Sequence, residues 1–138
     1  MHDYVIRPGE VEKWELGGHV GVDSRLLIDG SNLTVLYTQW EPGAGAPEHV
    51  HPHEQAGVCL QGNVILTIAG EDHLVGPGEF YHIPGNVPHA ERNPGFGLAV
   101  LADFFSPVRE DLVRRQFEAQ VVQGRRATQP EREAERSR

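Results

Sequence analysis

The chain has 138 residues with 12 basic and 20 acidic side chains, a net charge of −8 and a hydrophobic fraction of 38%. That length gives one domain with a real core and leaves no room for two comfortable ones. Lys13 is the only lysine, so no lysine cluster exists to grip a phosphate backbone, and nucleic acid is not an expected partner.

Cys59 is the only cysteine, which rules out an internal disulfide and a cysteine-based zinc cluster. Any metal must then be held by His, Gln or carboxylate side chains. No stretch has the length of a signal-peptide core or a membrane span, so a soluble, cytoplasmic protein without a membrane partner is expected.

In chain order, residues 1–20 read as an arm, with a short strand at Tyr4-Val5-Ile6, a Pro8-Gly9 turn and an irregular segment around Trp14 and Leu16. Strands are predicted over 24–28 and 33–40, joined by a turn at Asp29-Gly30-Ser31-Asn32 and closed by Glu41-Pro42-Gly43. After the segment 49–55 come strands over 56–60, 64–69, 73–75, 79–83 and 97–105. The breaks between them carry turn chemistry, as in Gln61-Gly62-Asn63 and Gly76-Pro77-Gly78. With 16 Gly and 10 Pro, strands at such short spacing predict an antiparallel barrel or jelly roll.

Beyond the last strand, Ser106 as N-cap and Pro107 at the first helical position predict a helix over 106–123, with Glu110 and Asp111 favouring its first turn. Val113, Phe117 and Val121 would give it a narrow apolar stripe that packs on the barrel or on a second subunit. Residues 124–138 alternate charges and read as a flexible tail. The division expected is therefore arm 1–20, barrel 21–105, helix 106–123 and tail 124–138.

The densest chemistry lies in His49-Val50-His51-Pro52-His53-Glu54-Gln55. If this stretch is extended, His49, His51, His53 and Gln55 share one face, a convergent ligand set for a divalent metal. A strand beginning at His89 can sit opposite them in a barrel. Further on, alternation puts Asp103 and Phe105 on one face while Arg109 reaches back from the helix: an acid or base, an apolar wall and an anion clamp. The bland alternative is a closing strand with an ordinary Asp–Arg ion pair.

These residues resemble the cupin family, whose two motifs are G(x)5HxH(x)3,4E(x)6G and G(x)5PxG(x)2H(x)3N. Gly43, His49, His51 and Gly62 match the first, and Gly78, Pro84, His89 and Asn93 match the second. Gln55 stands where most cupins have Glu, and Asn86 where they have Gly. The resemblance implies an all-β jelly-roll barrel with a short C-terminal helix, and one divalent ion (Zn, Ni, Fe or Mn) held by His49, His51, Gln55 and His89. His53 matches no ligand position and is expected to support a ligand; His73 and His82 are expected to be ordinary barrel residues. Replacing Glu by Gln leaves the ion's charge uncompensated, which favours Lewis-acid handling of an anionic substrate over oxygenation.

The segment from Asp103 to Asp111, with Gly21-Val22, Arg25 and Asn32-Leu33, is similar to the small cupins of pectin and alginate breakdown that linearise 4,5-unsaturated monouronates, the KdgF type. That similarity implies a metal-dependent isomerase or lyase-like enzyme acting on a small anionic substrate. Asp103 would shuttle the proton, Phe105 would form a wall, and Arg109 would hold charge and orient Asp103. It is also compatible with a homodimer. Two other readings stay open: a polyketide cyclase or oxygenase on an aromatic substrate, with Trp40, Tyr37 and Tyr81 as candidate lining, and a non-catalytic small-molecule-binding cupin.

Overall fold

The strand β3 (Thr34–Trp40) shows why this chain makes sheets: Thr34, Leu36, Thr38 and Trp40 alternate inward and all four are buried. The computed structural model describes residues 4–16 and 19–115. Besides β3, the chain forms β1 (Trp14–Glu15), β2 (Val22–Asp29), β4 (Gly45–His49), β5 (Glu54–Gln61), β6 (Val64–Ile68), β7 (Glu71–Val75), β8 (Phe80–Ile83), β9 (His89–Arg92) and β10 (Ala99–Ser106). They build two antiparallel sheets, a larger one in the order β1-β2-β3-β10-β5-β8 and a smaller one in the order β4-β9-β6-β7. The inner faces meet in a core that includes Trp14, Leu36, Trp40, Leu66 and Leu101. This is the expected jelly roll, an all-β fold whose two sheets bury alternate side chains against each other.

Two expectations at the ends of the barrel are corrected. Tyr4-Val5-Ile6 forms no strand; Tyr4 and Val5 are exposed, and a 3-10 turn occupies Pro8–Glu10. The edge strand is instead β1, where Trp14 is buried and pairs with Ser24, because an indole side chain gains far more from burial than the arm's exposed residues could. At the other end, Ser106 is not an N-cap. It is the last residue of β10, its hydroxyl donates to the Asn32 carbonyl at 2.9 Å, and helical residues begin only at 110. Leu112 and Val113 are buried against the barrel, whereas Phe117, Val121 and the tail 124–138 lie outside the described residues. Among the described residues no helix is long and apolar enough to cross a membrane.

The stretch 49–55 is also not one extended strand. His49 closes β4 in the smaller sheet, residues 50–53 cross between sheets, and Gln55 belongs to β5 in the larger one. The return crossing, from β8 to β9, runs alongside. The Asn86 N–H donates to the His51 carbonyl at 2.8 Å, and a Cβ at Gly85 would collide with the Pro52 carbonyl oxygen, so only glycine lets the two crossings touch backbone to backbone. Asn86 has φ of 65°, a left-handed conformation that Asn tolerates better than other side-chain-bearing residues, which explains why Asn can replace the usual glycine there. The crossings thus tie the His51 segment to the strand that begins at His89.

Candidate metal centre

Three elements converge at one end of the barrel. In the register of β4 and β9, His49 and His89 are direct partners, with an irregularity between Ala46 and His49 that re-aims the histidine. Their rings lie 4.2 Å apart between centroids, and the His51 ring lies 4.9 Å from that of His89. The nitrogens of His49, His51 and His89 form a group within 4.8 Å of one another.

Each ring is held by a local backbone carbonyl: His49 Nδ1 to Pro47 O at 2.8 Å, His51 Nδ1 to His53 O at 3.0 Å, and His89 Nδ1 to Val87 O at 2.8 Å. A carbonyl can only accept, so in the neutral ring the Nδ1 carries the proton and the lone pair is on Nε2 in all three. This is the arrangement that metal-bound imidazoles need. Burial favours the neutral form of His51 and His89. It lowers His51 to about 4, with help from the charges of Arg109 and His89, and it also lowers His89. The Nε2 of His89 is buried and without a hydrogen-bond partner. A divalent ion there would satisfy a lone pair that is otherwise costly to bury, so the residues present fit a bound metal.

Gln55 joins the cluster from the larger sheet. Its Oε1 is 3.2 Å from His51 Nε2, and its Nε2 donates to Asp103 Oδ1 at 3.0 Å. A carboxylate accepts only, so Asp103 turns the amide with its nitrogen away from the imidazoles and its oxygen toward them. The chain from Asp103 continues to Tyr81, whose hydroxyl donates to the same Oδ1 at 2.5 Å. Tyr81, Gly57 and Asp103 stand in one row across β8, β5 and β10. Tyr81 reaches Asp103 over the middle strand because Gly57 has no side chain; a Cβ there would overlap the Tyr81 ring. Burial pushes Asp103 up to about 6, with the Tyr81 and Gln55 hydrogen bonds pulling the other way, and raises Tyr81 well above its ordinary value.

Phe105 follows two residues on from Asp103 on the same face, buried, with its ring edge-on to His51 at 5.7 Å. The Arg109 guanidinium lies 4.8 Å from the centre of the Phe105 ring. It is not the group that orients Asp103: its Nε and a terminal nitrogen donate to Asp111, at 2.9 and 2.6 Å. Asp111, two residues away on the first helical turn, is simply the nearer carboxylate. Orientation of Asp103 falls to Gln55 and Tyr81 instead.

Three further histidines stand outside this group. His53 contributes its backbone carbonyl to the His51 ring, while His82 pairs with Glu54 at 2.7 Å and His73 lies 3.9 Å from Glu71, all outside the three-imidazole group. Asn93 closes a turn, donating to the carbonyls of Trp40 and Gly97 and accepting from the Gly95 N–H. Trp40 faces inward with Tyr81, but Tyr37 lies on the opposite face of β3 from Trp40. Two site residues escaped the motif reading. Tyr81 was placed only as possible pocket lining, and Glu91 not at all, although strict alternation along β9 puts Glu91 on the face of His89. Glu91 is buried with Oε1 3.9 Å from His49 Nε2 and 4.0 Å from His89 Nε2, and burial followed by the Asp103 charge pushes it up to about 8.

Comparison with known proteins agrees with the fold. KdgF from Halomonas sp. superposes with a TM-score of 0.73 at 21% identity, covering 80% of this chain and 99% of that one. The polyketide cyclase RemF from Streptomyces resistomycificus superposes at 0.70 with 24% identity, over 79% of this chain and 84% of its own. Identities this low carry the fold alone. In sequence, the chain is 29% identical over 94 residues to the HTH-type transcriptional regulator PuuR of Escherichia coli K12, over 65% of this chain, and it spans about half (51%) of that protein's length. The profile of the cupin domain matches residues 36–105, which hold all three imidazoles, Gln55 and Asp103. The chain belongs to the cupin family.

Proposed function

We propose that this protein is a metal-dependent enzyme that linearises a 4,5-unsaturated uronate, converting the cyclic enol ether to the open 4-deoxy keto form. One observation carries the reading: a buried carboxyl, Asp103, is hydrogen-bonded to Gln55, which in turn touches the imidazole cluster, with Phe105 beside it. The ligands in this reading are His49, His51, Gln55 and His89. A bound divalent ion supplies Lewis-acid polarisation of substrate oxygens and a site for the uronate carboxylate.

The chain's own residues account for the proton movements. Asp103, pushed up to about 6, can hold or release a proton near neutrality. It takes the proton from the anomeric hydroxyl as the ring C–O bond breaks, and it returns that proton to carbon 4 of the resulting enolate, so that no atom is gained or lost. Tyr81 and Gln55 keep that carboxyl aimed, and Phe105 excludes water from one side. Arg109, paired with Asp111 and 4.8 Å from the centre of the Phe105 ring, contributes a positive charge on the Phe105 side of the cluster that favours an anionic substrate.

The test is incubation of the metal-loaded protein with unsaturated galacturonate, following loss of the enol absorbance. Acceleration that falls about 10²-fold or more in Asp103→Ala is expected of a residue acting as acid and base. No acceleration over buffer sinks the substrate assignment. The match to PuuR favours one second reading, ligand binding without turnover. It predicts that Asp103→Ala retains ligand affinity and that no candidate substrate is consumed.

A further inference from the structure

The donors assigned so far are imidazoles and an amide, yet a carboxyl group stands against the cluster with no role in the reading above. Glu91 occupies β9 two residues after His89, on the same inward face, and only 9% of it is exposed. Its Oε1 faces the Nε2 atoms of His49 and His89 at 3.9 and 4.0 Å. Both of those nitrogens bear lone pairs, because both Nδ1 positions are committed to the backbone carbonyls of Pro47 and Val87. With the rings neutral and the carboxyl ionised, two lone pairs and a carboxylate oxygen point at one another and repel, and either a proton on Glu91 or a cation held between the three atoms relieves that repulsion.

The distances meet the geometric requirement. Two donor atoms that each lie about 2.1 Å from a common ion can be no more than about 4.2 Å apart, and Oε1 is inside that limit from both nitrogens. The imidazole group itself spans up to 4.8 Å, so an ion that draws the nitrogens inward acts on a donor set that is open throughout.

We propose that Glu91 is a metal ligand: it supplies from β9 the anionic donor that Gln55 does not supply from β5. The set becomes three imidazoles, one amide and one carboxylate, and the bound ion retains one net positive charge rather than two. This rests on the imidazole cluster being the metal site, and the test separates the two claims.

The experiment titrates metal-free wild type, Glu91→Leu, Glu91→Gln and His89→Ala with Co²⁺, recording affinity and the visible ligand-field spectrum. Leu removes the donor at similar volume, and Gln removes only the charge. A direct ligand is expected to cost more than the 10–100-fold that loss of an outer partner typically costs, and Glu91→Leu is expected to shift the spectrum toward lower coordination number. A Glu91→Leu spectrum identical to wild type overturns the proposal while leaving the imidazole site standing. Failure of wild type and His89→Ala alike to give any ligand-field band overturns both. If Glu91→Leu does not fold, Glu91→Gln decides: a loss of affinity no larger than the roughly 10–100-fold of an outer partner, with the wild-type spectrum, overturns the proposal.

Discussion

Gly57 is the point where packing and chemistry meet most directly, and Gly57→Ala tests the connection. An added Cβ would fall on the ring carbon and hydroxyl of Tyr81, well inside the 3.0 Å that real Cβ contacts respect. The ring must withdraw by an ångström or more, which stretches its 2.5 Å bond to Asp103 beyond hydrogen-bonding distance. A hydrogen bond to a charged acceptor is worth about 1.5–3 kcal/mol, and overpacking costs about 1–3 kcal/mol. Withdrawal relieves the second at the expense of the first, so the two do not sum, and the expected loss is about 3 kcal/mol. The check is urea unfolding in chelator, with the same substitution repeated in a Tyr81→Ala background. There the collision has no partner, and Gly57→Ala should cost within about 0.5 kcal/mol of nothing, as for independent sites. Equal costs in both backgrounds would refute the claim that this glycine exists to admit Tyr81.

Other predictions follow from the same geometry. His49→Ala or His89→Ala should remove most of the bound ion by elemental analysis, and full stoichiometry in either variant would contradict its assignment as a ligand. Asp111 is pushed up by burial, but the Arg109 hydrogen bonds and charge pull it down further, to about 2. A depressed carboxyl stabilises the fold above its ordinary value of 3.8 and loses that contribution as pH falls toward 2, so NMR titration should find Asp111 still ionised at pH 3, and Arg109→Gln should bring its midpoint up. Asn86→Gly should leave stability nearly unchanged, whereas Asn86→Ala, forced to φ of 65°, should cost about 1 kcal/mol in chemical denaturation. Cys59 is buried and burial raises its thiol, so a chromogenic disulfide reagent should leave it unmodified in the native protein and react once denaturant is added.

The fold was legible because turn chemistry and period-2 alternation are local. The predicted break Gly76-Pro77-Gly78 falls between β7 and β8, those at 61–63 and 70–72 overlap strand ends by one and two residues, and Asp103 and Phe105 share a face as alternation requires. The motifs likewise identified the histidines that the structure brings together. What alternation could not see was the change of sheet inside 49–55: extrapolating one strand across it put His53 on the face of His49, His51 and Gln55, whereas in the crossing its backbone carbonyl meets the His51 ring. Partners set by lateral register were equally hidden. Nothing in the local sequence of Asp103 indicates that Tyr81 arrives over Gly57, since this depends on which strands lie side by side. At Ser106, helix-start propensity lost to tertiary structure, because the ladder of β10 and the bond to Asn32 claim that residue first.

The glutamine at position 55 is best understood together with Asp103. Its amide nitrogen sits 3.0 Å from the Asp103 carboxyl. With Glu in its place, two ionised carboxyls at that distance would repel by about 5–6 kcal/mol at an effective dielectric of 20, enough to force a proton onto one of them. Gln avoids the conflict by offering a donor to Asp103 and an acceptor toward His51. The departure from the family pattern is therefore not an isolated loss of ligand charge but one half of a pairing. The site gives up a carboxylate among the motif ligands and gains a second carboxyl beside the cluster, buried, aimed by Tyr81 and free of the metal-binding role. In the proposed reading the Gln–Asp pair separates the group that would help hold the ion, Gln55, from the group that would move the proton, Asp103.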